Sequence, residues 1–201
     1  MILTILIFIA LLAFVAIYYN LLLSKDIFPK RLEQWNFLYR EGNCAPSDLR
    51  EVFNELLSIL CTEFGSHKSF KIVGIYFDDP AKLQHPDEMR YAIGVKVDNF
   101  VLDTASSKLE KHGFRFKQLP AVFCIANEVP FRNVMSYFFM EFYKKQVRKF
   151  VEKANIKNAR SAIVVITDTE GPRPILGVYY PFNKGSEEYR FTTLIEPKIC
   201  E

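Results

Sequence analysis

"IYFDDPAKLQHPDEMRYAIGVKV", residues 75–97, decides how this chain folds. Two alternating apolar segments flank a loop with two adjacent acids, two prolines and an arginine. Alternation with a period of two marks half-buried strands, so the stretch reads as a β-hairpin. Asp78 and Asp79 can accept backbone N–H bonds in the turn, Pro80 fixes φ, and Arg90 is a natural partner for one carboxylate. Two alternatives stand beside this: a partner contact, and a weak metal or catalytic site from Asp78, Asp79, His85 and Asp87. A catalytic carboxylate pair needs one member desolvated or crowded, whereas this loop is polar throughout.

Upstream of the hairpin, "SDLREVFNELLSILCTEFG" carries the clearest periodicity in the chain. Leu49, Val52, Phe53, Leu56, Leu57, Leu60, Cys61 and Phe64 recur at three and four residues, one broad helical stripe. Ser47 or Asp48 can cap its start, and Gly65 can end it in the left-handed conformation. "LEQWNFLYREG" before it reads as a strand ending at Gly42. Downstream, a short helix is expected near 103–112, closed by Gly113. Extended chain, broken at Pro120, follows. Pro130 suits the first turn of a second long helix over 131–154. "SAIVVITD" and "PILGVYYPF" are strands, and "EYRFTTLIEP" can add an edge strand. "AIGVKV" at 92–97 resembles "ILGVYY" at 175–180, with Gly94 and Gly177 in equivalent places. The pattern is strand, helix, strand, strand, a linking helix, and the same set again. Each half alone would expose a helix face and a sheet face, and two halves joined give a two-layer α+β domain with an antiparallel sheet packed by two long helices.

The chain has 201 residues and a net charge of +3, enough for one domain and too nearly neutral to imply nucleic acid. The first 23 residues are uncharged and strongly apolar, and the sequence alone predicts an uncleaved transmembrane signal anchor over 1–23 with a juxtamembrane linker over 24–30. Lys25, Lys30 and Arg31 follow this span and no basic residue precedes it, so the expected orientation places the rest of the chain in the cytosol. Cys44, Cys61, Cys124 and Cys200 form no CxxC pair, hence neither a zinc nor a disulfide framework. No HExxH, GxSxG or phosphate-binding loop occurs, no cofactor is expected, and the three histidines read as surface residues.

The hairpin resembles that of the GyrI-like (DNA gyrase inhibitor I) domain family, built from duplicated strand-helix-strand-strand units. Asp78, Asp79, Pro80, Pro86, Glu88, Arg90 and Gly94 fall on the family's hairpin pattern. With the apolar leader, and with "KHGFRFKQLPA" and "NEVPF", the chain is similar to the testis-expressed protein 264-like membrane proteins. The resemblance implies a GyrI-like domain over 31–196, with 197–201 as a C-terminal end. It also implies single-pass anchoring in the endoplasmic reticulum membrane, and reticulophagy partners or the valosin-containing-protein machinery. That role needs a long tail bearing a short motif, and the sequence ends soon after the last expected strand. "WNFL" at 35–38 and "FNEL" at 53–56 match the motif but fall in expected core elements.

GyrI-like proteins have a groove lined with aromatics, often with a carboxylate, that binds amphipathic or cationic small molecules. Trp35, Tyr39, Tyr76, Tyr91, Tyr180 and Glu128 are the candidates for it here. Two function classes follow. The favoured one is a membrane-tethered binding or adaptor module with a partly filled groove. The alternative is an anchored small-molecule sensor or hydrolase. The basic segment 144–153 reads as a solvated helix face, with docking to an anionic membrane leaflet or an acidic partner as the alternative, and no direct nucleic-acid contact is expected.

Overall fold

The computed structural model describes residues 2–18, 27–66, 70–79, 83–131, 139–156, 162–169, 174–182 and 186–189. Helix α1 (Ile2–Tyr18) comes first, followed by β1 (Ile27–Leu32), β2 (Trp35–Cys44), α2 (Leu49–Phe64), β3 (Lys71–Tyr76) and β4 (Met89–Val97). The second half has α3 (Leu102–Glu110), β5 (Arg115–Leu119), β6 (Val122–Pro130), α4 (Met140–Lys153), β7 (Ile163–Asp168) and β8 (Ile175–Pro181). The strands form one curled antiparallel sheet in the order β1-β6-β8-β7-β3-β4-β2-β5.

That order is a palindrome. β2-α2-β3-β4 and β6-α4-β7-β8 are the two strand-helix-strand-strand units, joined where β3 pairs with β7. The outermost strands are exchanged. β1 precedes the first unit but pairs with β6 of the second, and β5 precedes the second but pairs with β2 of the first.

The predicted stripe of α2 and one side of α4 pack on one face of the sheet. Leu49, Leu56 and Leu60 of α2 and Tyr143, Val147 and Val151 of α4 join Leu38, Ile72, Ile93, Val165 and Val178 in one core. Each fully buried aliphatic side chain contributes about 1.5–3 kcal/mol, which outweighs the modest intrinsic preference of these segments for helix. Gly65 ends α2 at φ 74°, the left-handed cap its position predicted. Neither Ser47 nor Asp48 caps α2 with its side chain; the Ser47 hydroxyl donates to the Asp48 carboxylate instead. The other face of the sheet carries a second core, with Trp35, Phe37, Tyr39, Val73, Ile75, Val164, Tyr179 and Tyr189.

Three expectations are corrected. Pro130 does not open the second helix: it closes β6 opposite Ile175. A ladder terminus tolerates a residue without an N–H, so proline fits there equally well. The linker stretch 24–30 runs into a strand from Ile27, because the exposed edge of β6 offers it hydrogen-bonding partners. Finally, among the described residues no helix is long and apolar enough to cross a membrane. α1 is apolar throughout but has 17 residues. At 1.5 Å per residue it reaches about 25 Å, short of the roughly 30 Å hydrocarbon layer. The single-pass endoplasmic reticulum placement is therefore overturned. Pro80, residues 132–138 at the expected start of the second helix, and most of "EYRFTTLIEP" lie outside the described residues.

Candidate functional site

Strand alternation sorts the six groove candidates onto two faces. Trp35, Tyr39 and Glu128 project from the face opposite the helices, whereas Tyr76, Tyr91 and Tyr180 pack beneath the helices. Tyr76 is 1% exposed; its hydroxyl meets the Met140 Sδ at 3.8 Å, and the Lys144 Nζ stands 3.8 Å from its ring centroid.

Glu128 anchors a polar cluster on one half of the helix-free face. It sits on β6 directly opposite Gly177 of β8. Tyr179, two residues further along β8, folds back over Gly177, where any Cβ would run into its ring. The Tyr179 hydroxyl thereby donates to Glu128 Oε1 at 2.6 Å. Lys30, delivered by the exchanged strand β1, donates to the same oxygen at 2.5 Å, and its Nζ lies 5.9 Å from the Tyr179 ring centroid. Burial raises the Tyr179 phenol well above the usual tyrosine range, and the hydrogen bond and negative charge of Glu128 raise it further. Tyr179 therefore stays a protonated donor to the carboxylate. Next to them the Cys124 thiol donates to the Lys30 carbonyl and is pushed up to about 12 by burial, so it is no nucleophile at neutral pH.

Across the same face, β2 presents an aromatic row. Trp35 and Phe37 have ring centroids 5.2 Å apart, and Phe37 stacks on Tyr39 at 5.2 Å. Burial raises the Tyr39 phenol, and the charge of Glu41 adds to it. Tyr189, from a short 3-10 turn (Ser186–Tyr189), closes over this row. Its hydroxyl accepts from Trp35 Nε1 at 3.1 Å and donates to the Pro120 carbonyl at 3.0 Å. The palindrome places Tyr39 opposite Gly94 as it places Glu128 opposite Gly177. The acid thus occupies one half of the pseudo-symmetric face and a tyrosine the other.

The hairpin loop is a clamp. Asp78 receives the Arg90 backbone N–H at 2.9 Å and both ends of the Arg90 guanidinium, Nε at 3.0 Å and Nη2 at 2.8 Å. Asp79 pairs with Arg148 of α4 at 2.8 Å, and Arg148 also donates to the Asp78 carbonyl. Both carboxylates are committed to arginines. Among the described residues no group of three His, Cys, Asp or Glu could hold a metal. Pro86 and Glu88 bound a 3-10 turn leading into β4.

Sequence reasoning missed Tyr179, Lys30 and Arg148. Tyr179 and Tyr180 are neighbours, so a one-residue ambiguity in parity exchanges their faces. The usable signal was Gly177, which leaves room for the residue two positions on. Arg148 was hidden in a basic helical run that reads as solvated. Also unforeseen is a cavity of about 500 Å³ between α2, α3 and the ends of β3 and β4, lined in part by Phe64, Phe70, Phe100, Lys71 and Lys96.

Two strand-helix-strand-strand units sharing one curled antiparallel sheet, with helices on one face, are the arrangement of the GyrI-like fold. Among solved structures the chain is similar to that of SAV2435 bound to tetraphenylphosphonium, with a TM-score of 0.50 and 12% identity, covering 81% of this chain and 96% of that one. It is also similar to the EcmrR C-terminal domain, with a TM-score of 0.49, 10% identity and coverage of 79% and 97%. A third similar structure is a hydrolase from Listeria innocua, with a TM-score of 0.41, 14% identity and coverage of 76% and 90%. No family model and no curated protein matches the sequence. The matched structures lend no support to membrane anchoring or to autophagy partners.

Proposed function

We propose that this chain is a small-molecule-binding module whose ligand is an amphipathic or lipophilic cation. The observation that carries the reading is Glu128, a carboxylate set among aromatics, 19% exposed and held by a tyrosine that stays protonated. A partly desolvated carboxylate beside an aromatic face attracts a cation by charge and by the ring quadrupole. The site already holds one cation, the Lys30 ammonium, in that geometry. The tetraphenylphosphonium bound by SAV2435 is a ligand of the same chemical kind.

Calorimetric titration with tetraphenylphosphonium tests this. Saturable binding is expected, and Glu128→Gln should weaken it at least about tenfold, as loss of a partly desolvated charge partner implies. Binding indifferent to that change would remove Glu128 from the site. The adaptor reading is favoured by a different observation: Trp35 and Tyr189 are 4% and 0% exposed, so the β2 end of the face is closed. A partner would then bind elsewhere on the domain, and no titration response would register.

A further inference from the structure

We infer that Lys30 is a tethered counter-ion that competes with the ligand and sets its affinity. The inference rests on the cation-binding reading of Glu128. Lys30 takes the Glu128 Oε1 at 2.5 Å, the oxygen that also accepts from Tyr179, and it lies over the Tyr179 ring. An incoming cation would need that carboxylate and that ring, so it must displace the ammonium. The Lys30 side chain can leave: it is 40% exposed, and its stem lies on the edge strand β1, which pairs on one side only. Lysine is long and flexible, and its head regains full hydration when released. Glu128 is only 19% exposed and gains no such hydration, so the vacated carboxylate strongly favours a replacement cation. An uncharged ligand cannot replace the lost ion pair, and Lys30 stays in place against it. The resident lysine therefore weakens every cationic ligand by a common factor, whereas a neutral ligand of the same shape would cover the Glu128 carboxylate unpaired and is disfavoured with or without the lysine.

The test uses the full chain and two probes, tetraphenylphosphonium and uncharged triphenylphosphine oxide. Lys30→Ala should tighten tetraphenylphosphonium binding at least about tenfold, leave triphenylphosphine oxide unchanged, and lose its gain when combined with Glu128→Gln. Lys30→Arg should behave as wild type. Lys30→Met, which keeps the apolar stem, carries the test if the alanine variant folds poorly by circular dichroism. Wild type and Lys30→Met binding the cation equally would overturn the inference and leave the Glu128 reading standing. No cation binding to a folded Lys30→Met chain would overturn both. An equal gain for the uncharged probe would also overturn the inference, since the lysine would then act by bulk.

Discussion

Gly94 illustrates how one missing side chain positions a site. It lies opposite Tyr39 where β4 and β2 approach closely, and a Cβ there would collide with the Leu38 carbonyl oxygen and the Tyr39 Cα. These are backbone atoms and cannot swing aside as a side chain would. Gly94→Ala should therefore destabilise the fold by about 1–3 kcal/mol or more, as overpacking does, read as a lowered midpoint in urea. An unchanged midpoint would mean that the strands separate at little cost. Gly177 has a different role: its empty position is filled by the Tyr179 ring, and the Tyr179 hydroxyl reaches Glu128 as a result. Both glycines were legible as a pair, because "AIGVKV" and "ILGVYY" repeat around them. Glu128 was legible as a groove acid only through family resemblance. Its lysine partner was not, because 98 residues separate them and local pattern carries no long-range pairing.

Among the elements, the hairpin between β3 and β4 is tied to α4. Arg90 and Asp78 are 13% and 8% exposed at their side chains, and Arg148 and Asp79 are 15% and 23% exposed. Removing one partner of such a pair leaves a poorly solvated charge, so Arg90→Ala should cost about 3 kcal/mol. Arg148→Ala should cost less, because Asp79 is the more exposed of the two acids. The Asp78 carbonyl accepts from Arg148 while its carboxylate accepts from Arg90, so the two losses should be non-additive in a double-mutant cycle. Additive losses would show that loop and helix are held independently. The hairpin and α2 were legible because each is local: alternation, one stripe, a glycine stop. The role of Arg148 depends on where α4 crosses the loop, which its own amphipathic pattern does not encode. The "WNFL" segment, which is buried, and "FNEL", whose Phe53 is half-buried and Leu56 buried, make the same point. Trp35 and Leu38 are 4% and 1% exposed and Leu56 is 1% exposed, so motif letters alone do not make a docking peptide.

For the whole molecule, the exchange of β1 and β5 has a consequence for how the chain is divided. Two copies of one β-β-α-β-β unit that traded their first strands across a twofold axis would build this same sheet, so the chain has the topology of a strand-swapped dimer joined into one polypeptide. Neither half completes its own outer edge. The fragments 27–113 and 114–201 should each be poorly folded alone and should reconstitute on mixing. The sole tryptophan reports this, because Trp35 in the first fragment is covered by Leu119 and Tyr189 of the second. A blue shift on mixing is expected, and a first fragment already blue-shifted by itself would refute the dependence. The Glu128 cluster is likewise assembled in trans: its lysine comes from the first fragment, and its acid and tyrosine come from the second. Complementation and formation of the cluster would therefore be a single event.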